Sequence, residues 1–430
     1  MDRSWRALFS PGLVVVLALL TGPQSWAVDT SAGQKPVPAT LLVRARAGAP
    51  QEHVKRLLAS HGMHIKRQIP HIKVWEIEGD TRIYDTLSAK LCLDPDVLWV
   101  EPNGWVHISG VVPNDPFYQA QQGHLRLIGL PEAWVLTTGD TRLIAVIDTG
   151  VDLDHPDLVA KIWISADEIS DNGVDDDGNG YVDDVRGWDF VNQDAVPQDG
   201  HSHGSHVAGI AAAHTDNGEG IAGVAWRASI LPLKVLDNQG NGTFADVAEA
   251  VIYAADNGAR ILNLSLGGEE FSQTLEDAIS YALSQGCLVV AAAGNSDTQP
   301  TPVEYPAALP GVLAVAATTD DNVPASFSNW GPEVDIAAPG VEILSANRSG
   351  SYYFSSGTSM STAHTSGLAA LIWSLQPTLT PDQVAYIITR TARDIHAPGW
   401  DQRTGWGRID AWAAIVAALP YRTYVPTVMR

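Results

Sequence analysis

Apolar positions along this 430-residue chain fall into runs that stop abruptly at polar side chains. Leu143-Ile144-Ala145-Val146-Ile147 is uninterrupted and stops at Asp148. Cys287-Leu288-Val289-Val290-Ala291-Ala292-Ala293 likewise stops at Gly294-Asn295. Continuous rather than alternating runs mark strands buried on both faces, as in a parallel sheet covered by helices. Gly367-Leu368-Ala369-Ala370-Leu371-Ile372-Trp373 reads as a buried helix, with Ser359 near its N-terminus. Thr380-Pro381-Asp382-Gln383 predicts a further helix start, with proline in the first turn and a capping-box pair. Together these elements predict one large α/β domain with a mainly parallel sheet between helix layers. About 320 residues follow the first 110, ample for a single core.

The preceding region reads differently. Residues 41–44, 74–78 and 97–103 have strand character and residues 52–61 helical character, a small α+β domain within 40–109. Ahead of it, Arg3 and Arg6 precede an apolar run over 13–20, and Ser25-Trp26-Ala27 resembles a small-residue cleavage site. That is the pattern of a secretory signal peptide, assigned to residues 1–27. No later stretch reaches eighteen apolar residues, so the mature protein is expected to be exported and soluble, without membrane insertion.

Charge sharpens this division. The first 110 residues carry 12 basic and 10 acidic side chains; the remainder carries 14 and 39, a net of −25. A domain that acidic should avoid nucleic acid and anionic membranes. The two cysteines, Cys92 and Cys287, fall on opposite sides of the expected domain boundary, so a structural disulfide is not expected after processing. An exported chain without disulfides needs another stabiliser, and calcium is the obvious candidate.

Three segments carry the chemistry: Val146-Ile147-Asp148-Thr149-Gly150, His203-Gly204-Ser205-His206 and Gly357-Thr358-Ser359-Met360-Ser361. An acid, a base and a nucleophile stand in that order, the order the subtilisin triad shows among convergent serine proteases. In this order and context the chain resembles the subtilisin-like serine proteases over roughly residues 112–415. The resemblance implies a three-layer subtilisin-like fold and a secreted serine endopeptidase. In it Ser359 is the nucleophile, His203 the base, Asp148 its orienting carboxylate, and Asn295 the donor to the oxyanion. Two departures are visible: Ala363 stands where the family usually has proline, and Ser205 where threonine is commoner. His201, His203 and His206 also form a cluster that could bind zinc, although no His-Glu-x-x-His helix is present.

The resemblance extends to substrate and metal residues. Gly240-Asn241-Gly242-Thr243 and Asn263-Leu264-Ser265-Leu266-Gly267-Gly268 resemble the two edges between which the family clamps a substrate as an added strand. Gly240, Gly242, Ser265, Leu266 and Gly267 are the contacts this implies. Glu304 aligns with the base of the pocket for the side chain preceding the scissile bond, where a carboxylate could favour a basic or polar residue. The stretch 175–184 spaces Asp175, Asp177 and Asn179 around a glycine as an EF-hand loop does, with Asp183 or Asp184 closing it. Arg186 occupies the twelfth position, so the loop is not a strict EF-hand. A second calcium site, implied by thermitase-like members, falls on Asp115, Asp157, Asn217 and the carbonyls of His214, Glu219 and Ile221. The region 28–110 looks like an inhibitory propeptide acting on its own enzyme, with self-cleavage expected within 105–114. The peptidase domain is then 111–420, and the tail 421–430 carries no assignable function.

Overall fold

The computed structural model describes residues 40–46, 48–80, 84–91, 93–103, 110–296 and 302–419. The expected signal-peptide region, Cys92, the first part of the expected maturation segment and the C-terminal tail lie outside them. The chain divides after residue 107 into two compact units.

The N-terminal unit runs β1 (Thr40–Ala45), α1 (Gln51–Ser60), β2 (His64–Ile69), β3 (Val74–Glu78), α2 (Tyr84–Leu91) and β4 (Val97–Pro102). Its strands form an antiparallel sheet in the order β2-β3-β1-β4. Leu41, Val43, Trp75, Ile77 and Val97 from the strands meet Val54, Leu58, Leu87 and Leu91 from the helices in one core. Side chains on one sheet face therefore pack against both helices.

The larger unit begins with three short helices, α3 (Pro116–Gln121), α4 (Gly123–Leu127) and α5 (Leu130–Trp134). It continues with β5 (Leu143–Asp148), β6 (Trp188–Asp189), α6 (His203–Ala212), β7 (Ser229–Lys234), α7 (Phe244–Asp256), β8 (Ile261–Leu264), α8 (Gln273–Ser284) and β9 (Leu288–Ala292). The remaining elements are β10 (Leu313–Thr318), β11 (Ile336–Pro339), β12 (Ile343–Asn347), β13 (Ser351–Ser355), α9 (Thr358–Leu375), α10 (Pro381–Arg390) and α11 (Ala411–Ala418). Seven strands form a parallel sheet in the order β11-β10-β9-β8-β5-β7-β6. β12 and β13 make a separate antiparallel hairpin.

Why the strands are apolar throughout is visible in β5. Ile144 and Val146 pack with residues of α6 and α9, while Leu143, Ala145 and Ile147 pack with α7 and α8. Side chains alternate across a strand, so two helix layers demand apolar residues at every position. α9 is the central helix: residues 358–373 are all buried, and the Trp373 indole donates to the Leu379 carbonyl at 2.9 Å. The Thr380–Gln383 capping box forms as expected, starting α10. Asp410 caps α11 through the Ala413 amide.

Candidate active site

Open parallel sheets gather ligands at the carboxyl ends of their strands. Here that edge carries Asp148 at the end of β5, Ser265 just after β8 and Asn295 just after β9. Asp148 is fully buried; its Oδ1 lies 2.7 Å from His203 Nδ1 and accepts the Thr149 amide at 2.7 Å. A carboxylate only accepts, so Nδ1 carries the proton and Nε2 keeps its lone pair. His203 is the first residue of α6, delivered by Ser202 in the left-handed region at φ 95°. Gly204 permits the approach: a Cβ there would stand 2.0 Å from the Gly150 carbonyl oxygen. Burial opposes the imidazolium, but the Asp148 charge and hydrogen bond outweigh it, with the Asp199 charge adding to them. The His203 pKa is thereby held above its ordinary value.

Asp199 was not legible as part of this site. It is buried, and its Oδ1 accepts the Thr149 hydroxyl at 2.9 Å and the His201 and Ser202 amides at 2.8 Å. Its Oδ2 accepts the Ser205 amide and hydroxyl at 2.9 and 2.6 Å. One carboxylate thus ties the turn after β5 to the start of α6. Ser205 serves here through its hydroxyl, which the commoner threonine would also supply. The sequence signal was weak, an Asp-Gly pair that reads as an ordinary turn.

Ser359 is the second residue of α9, with Gly357 at the N-cap. Its hydroxyl donates to the Ser265 carbonyl at 3.0 Å, and the Ser265 hydroxyl donates to the Ser359 carbonyl at 3.0 Å. Asn263 extends this tie, donating to Ser265 Oγ and accepting from Ser366. Asn295 Oδ1 accepts the Thr358 amide at 2.8 Å and hydroxyl at 3.0 Å, which fixes the side chain and leaves Nδ2 without an acceptor among the described residues. Ala363 is buried in the body of α9, where an alanine keeps the helix unbroken.

His203, Ser359 and Asn295 line one cleft of about 820 Å³, together with Gly240, Gly242, Ser265, Leu266, Gly267 and Glu304. Every expected substrate-edge residue is therefore brought to the cleft. The first edge is held by the Leu236–Gly242 bridge, the second by paired hydrogen bonds between Gly268 and Tyr305 at 2.9 Å. Glu304 is half-buried between the two strand-end glycines. A Cβ on Gly267 would lie 2.5 Å from its Oε2 and one on Gly294 2.6 Å from its Oε1. Burial raises the Glu304 pKa, the Asn329 amide partly counters this, and the Glu269 charge adds to the rise.

The three histidines do not converge. His201 is exposed, whereas His206 is buried with Nε2 at 3.0 Å from the Ile343 carbonyl and 3.2 Å from that of Tyr353. Burial drives its pKa down to about 3.

The acidic insertion does gather oxygens. Ligand atoms of Glu168, Asp175 and Asp177 lie within 4.8 Å of one another. Burial raises the Asp177 pKa, and the charges of Asp184, Glu168 and Asp175 raise it further. Asp184 is buried and Glu168 nearly so, and each keeps one buried oxygen, Oδ1 and Oε2, with no partner among the described residues. Orphaned carboxylate oxygens facing like charges fit a divalent cation. Of the two alternatives for closing the loop, Asp183 has a left-handed backbone at φ 59° and its carboxylate accepts the Asn172 and Gly173 amides. Asn179 presents its amide nitrogen to Asp177 and Asp184 rather than its oxygen. Glu168 is the residue the sequence did not offer, since it lies outside the loop and no spacing rule reaches it.

At the other expected metal position, Asp157 Oδ1 accepts the Asn217 amide at 2.8 Å, and Oδ2 accepts the Ile221 amide and the Tyr352 hydroxyl. The buried Asp115 accepts the Asp216 amide at 2.9 Å, and burial raises its pKa, with the Asp157 charge adding to the rise. His214 reaches the same place through its amide, which donates to the Asp157 carbonyl, and Phe117 bonds Gly220 beside Glu219. The segments converge, but their carboxylate oxygens already meet internal donors.

A family model described as the subtilase family matches residues 139–407. The chain belongs to the subtilase family and is a serine protease. Thermitase of Thermoactinomyces vulgaris is 42% identical over 305 residues, 70% of this chain and 99% of that protein. A thermophilic serine proteinase of Bacillus sp. (strain AK1) is 41% identical over 352 residues, 82% of this chain and 79% of that protein. A solved protease structure from Pseudoalteromonas arctica matches with a TM-score of 0.60 at 34% identity, covering 72% of this chain and 100% of the other. The subtilase is thus thermitase-like, and its three-layer architecture is that of the family.

Proposed function

We infer that this subtilase is a secreted endopeptidase that acts through an acyl-enzyme on Ser359. The observation that carries the reading is the buried Asp148–His203 pair opening onto the same cleft as Ser359 and Asn295. A substrate strand would lie between the Gly240–Gly242 and Ser265–Gly267 edges, held by main-chain hydrogen bonds that tolerate varied sequence. For attack, the Ser359 hydroxyl turns from the Ser265 carbonyl toward His203 Nε2, a tightening common on substrate binding. His203 takes the proton as Oγ bonds to the scissile carbonyl carbon. Asp148 stabilises the imidazolium, while Asn295 Nδ2 donates to the developing oxyanion beside the N-terminus of α9. His203 then protonates the leaving amine as the C–N bond breaks. Water, deprotonated by the same imidazole, releases the acid and restores Ser359.

Glu304 would favour a basic residue before the scissile bond, since its carboxylate lines the cleft with no lysine or arginine among the lining residues. Residues 28–110 would serve as a propeptide that assists folding and inhibits until cut. Two calcium ions would stabilise the acidic peptidase domain. Glu168, Asp175, Asp177 and Asp184 would hold one; Asp115, Asp157 and Asn217, with the carbonyls of His214, Glu219 and Ile221, would hold the other.

Intact-mass analysis of wild type and Ser359→Ala, expressed without the signal region, tests this directly. Wild type is expected to lose residues 28–110, while the variant stays full length and inactive on casein. A folded wild type that neither shortens nor cleaves casein would favour a binding role for the fold instead.

A further inference from the structure

The acidic insertion is bolted to the helix whose start forms one edge of the substrate cleft. The Tyr253 hydroxyl on α7 donates to Asp184 Oδ2, and the Tyr181 hydroxyl of the insertion donates to Glu249 on α7 at 2.9 Å. Glu249 and Tyr253 are one turn apart, so the two bonds fall on one face of the helix. Between them the rings of Tyr181 and Tyr253 meet edge to face at 4.9 Å, and Phe190 and Trp188 complete the aromatic box. Phe244 and Val247, at the other end of α7, line the cleft, as does the helix cap Thr243, which follows Gly242 directly and accepts the Asp246 amide. From Tyr253 to Phe244 the helix spans about 13 Å. A displacement of the insertion would therefore reach Gly240–Thr243 as a rigid-body shift.

The insertion carries a reason to move. Glu168 and Asp184 each hold a buried carboxylate oxygen without a partner, and Glu168, Asp175 and Asp177 crowd within 4.8 Å. Without a cation this cluster repels itself; with one, Asp184 is fixed, and through Tyr253 so is α7. We propose that a divalent cation, calcium by its all-oxygen donor set, bound by Glu168, Asp175, Asp177 and Asp184 sets substrate affinity by positioning α7 and the Gly240–Gly242 edge. This rests on reading the insertion as a cation site. The triad is carried by β5, α6 and α9, so the coupling acts on KM and leaves kcat nearly unchanged.

The test uses the mature, self-processed enzyme and two kinds of variant. Glu168→Gln removes a ligand while the other expected calcium site stays intact. Tyr181→Phe/Tyr253→Phe keeps every ligand and removes only the two hydroxyl bridges. Calcium titration by calorimetry, hydrogen exchange over residues 240–247, and kcat and KM on an extended peptide are measured for each. Glu168→Gln is expected to lose one calcium equivalent, raise exchange at 240–247 and raise KM about fivefold or more, with kcat within twofold. The tyrosine pair is expected to keep the calcium equivalent yet show the same rise in KM. Loss of the calcium equivalent with KM and exchange unmoved would overturn the coupling and leave the cation site standing. Retention of every equivalent in Glu168→Gln would overturn the site itself. If Glu168→Gln fails to fold, an unchanged KM in the tyrosine pair alone still refutes the proposal.

Discussion

His203 and His206 stand on the same helix one turn apart, yet the protein holds them to opposite charge preferences. At the mouth of α6, His203 keeps 23% of its side chain exposed and faces a wholly buried carboxylate 2.7 Å away. One turn inward, His206 is sealed among backbone carbonyls, and burial takes its pKa to about 3. Farther inside, His364 of α9 packs edge to face on His124 at 5.0 Å, and burial brings the His364 pKa to about 4. The end of the helix that opens on the cleft is set apart by its carboxylates, Asp148 and Asp199, and not by histidine content. A carboxylate within hydrogen-bond reach can outweigh desolvation; a carbonyl does not.

The largest effect that would break this contrast comes from the nucleophile. Ser359→Ala is expected to cost about 10⁶-fold in kcat, a figure carried over from subtilisin, itself a member of this family. Asp148→Asn should cost about 10⁴-fold, the loss measured for the equivalent change in another serine protease, by losing the tautomer that leaves Nε2 free. Asn295→Ala is expected to lower kcat by about 10²–10³-fold with KM little changed, again the subtilisin magnitude. Peptide hydrolysis assays check all three, and equal losses for a His206 variant with unchanged fold would erase the distinction drawn here.

Smaller effects sharpen it. Glu304→Gln should reduce the preference for lysine or arginine over leucine before the scissile bond by about 10-fold or more, the worth of a charged hydrogen bond. A matched peptide series reads this ratio, and an unchanged ratio would assign Glu304 a structural part only. On the inner side, His206 and His364 bind protons less readily folded than unfolded, where 6.5 is the ordinary value. Their contribution is complete above pH 6.5 and is lost as pH falls, toward about 4 for His364 and about 3 for His206. His203 has the opposite sign, contributing below pH 6.5 and fading as pH rises through its raised pKa. Thermal midpoints should therefore fall below pH 6.5, with each buried histidine adding up to about 1.4 kcal/mol per pH unit. His364→Gln should flatten that slope.

Much of this was legible in the sequence. The runs ending at Asp148 and Asn295 marked strands because two helix layers leave no polar position inside them. Ser359 stands near a helix start because the apolar run 367–373 that follows it has the character of a buried helix. What stayed hidden depends on tertiary approach: Asp199 clasping Thr149 and Ser205, Thr358 gripping Asn295, and Glu168 reaching the acidic loop from outside it. Asp183 and Asp184 take different partners, backbone amides for one and the Tyr253 hydroxyl and Asn179 amide for the other, and no composition signal specifies that.

The most direct measurement is the rate and site of fluorophosphonate labelling on the mature enzyme between pH 5.5 and 9. The account expects one label, on Ser359, with a rate that rises through a single titration above pH 6.5 as His203 gives up its proton. Labelling at another residue, or a rate flat across that range, would contradict an Asp148–His203–Ser359 machine.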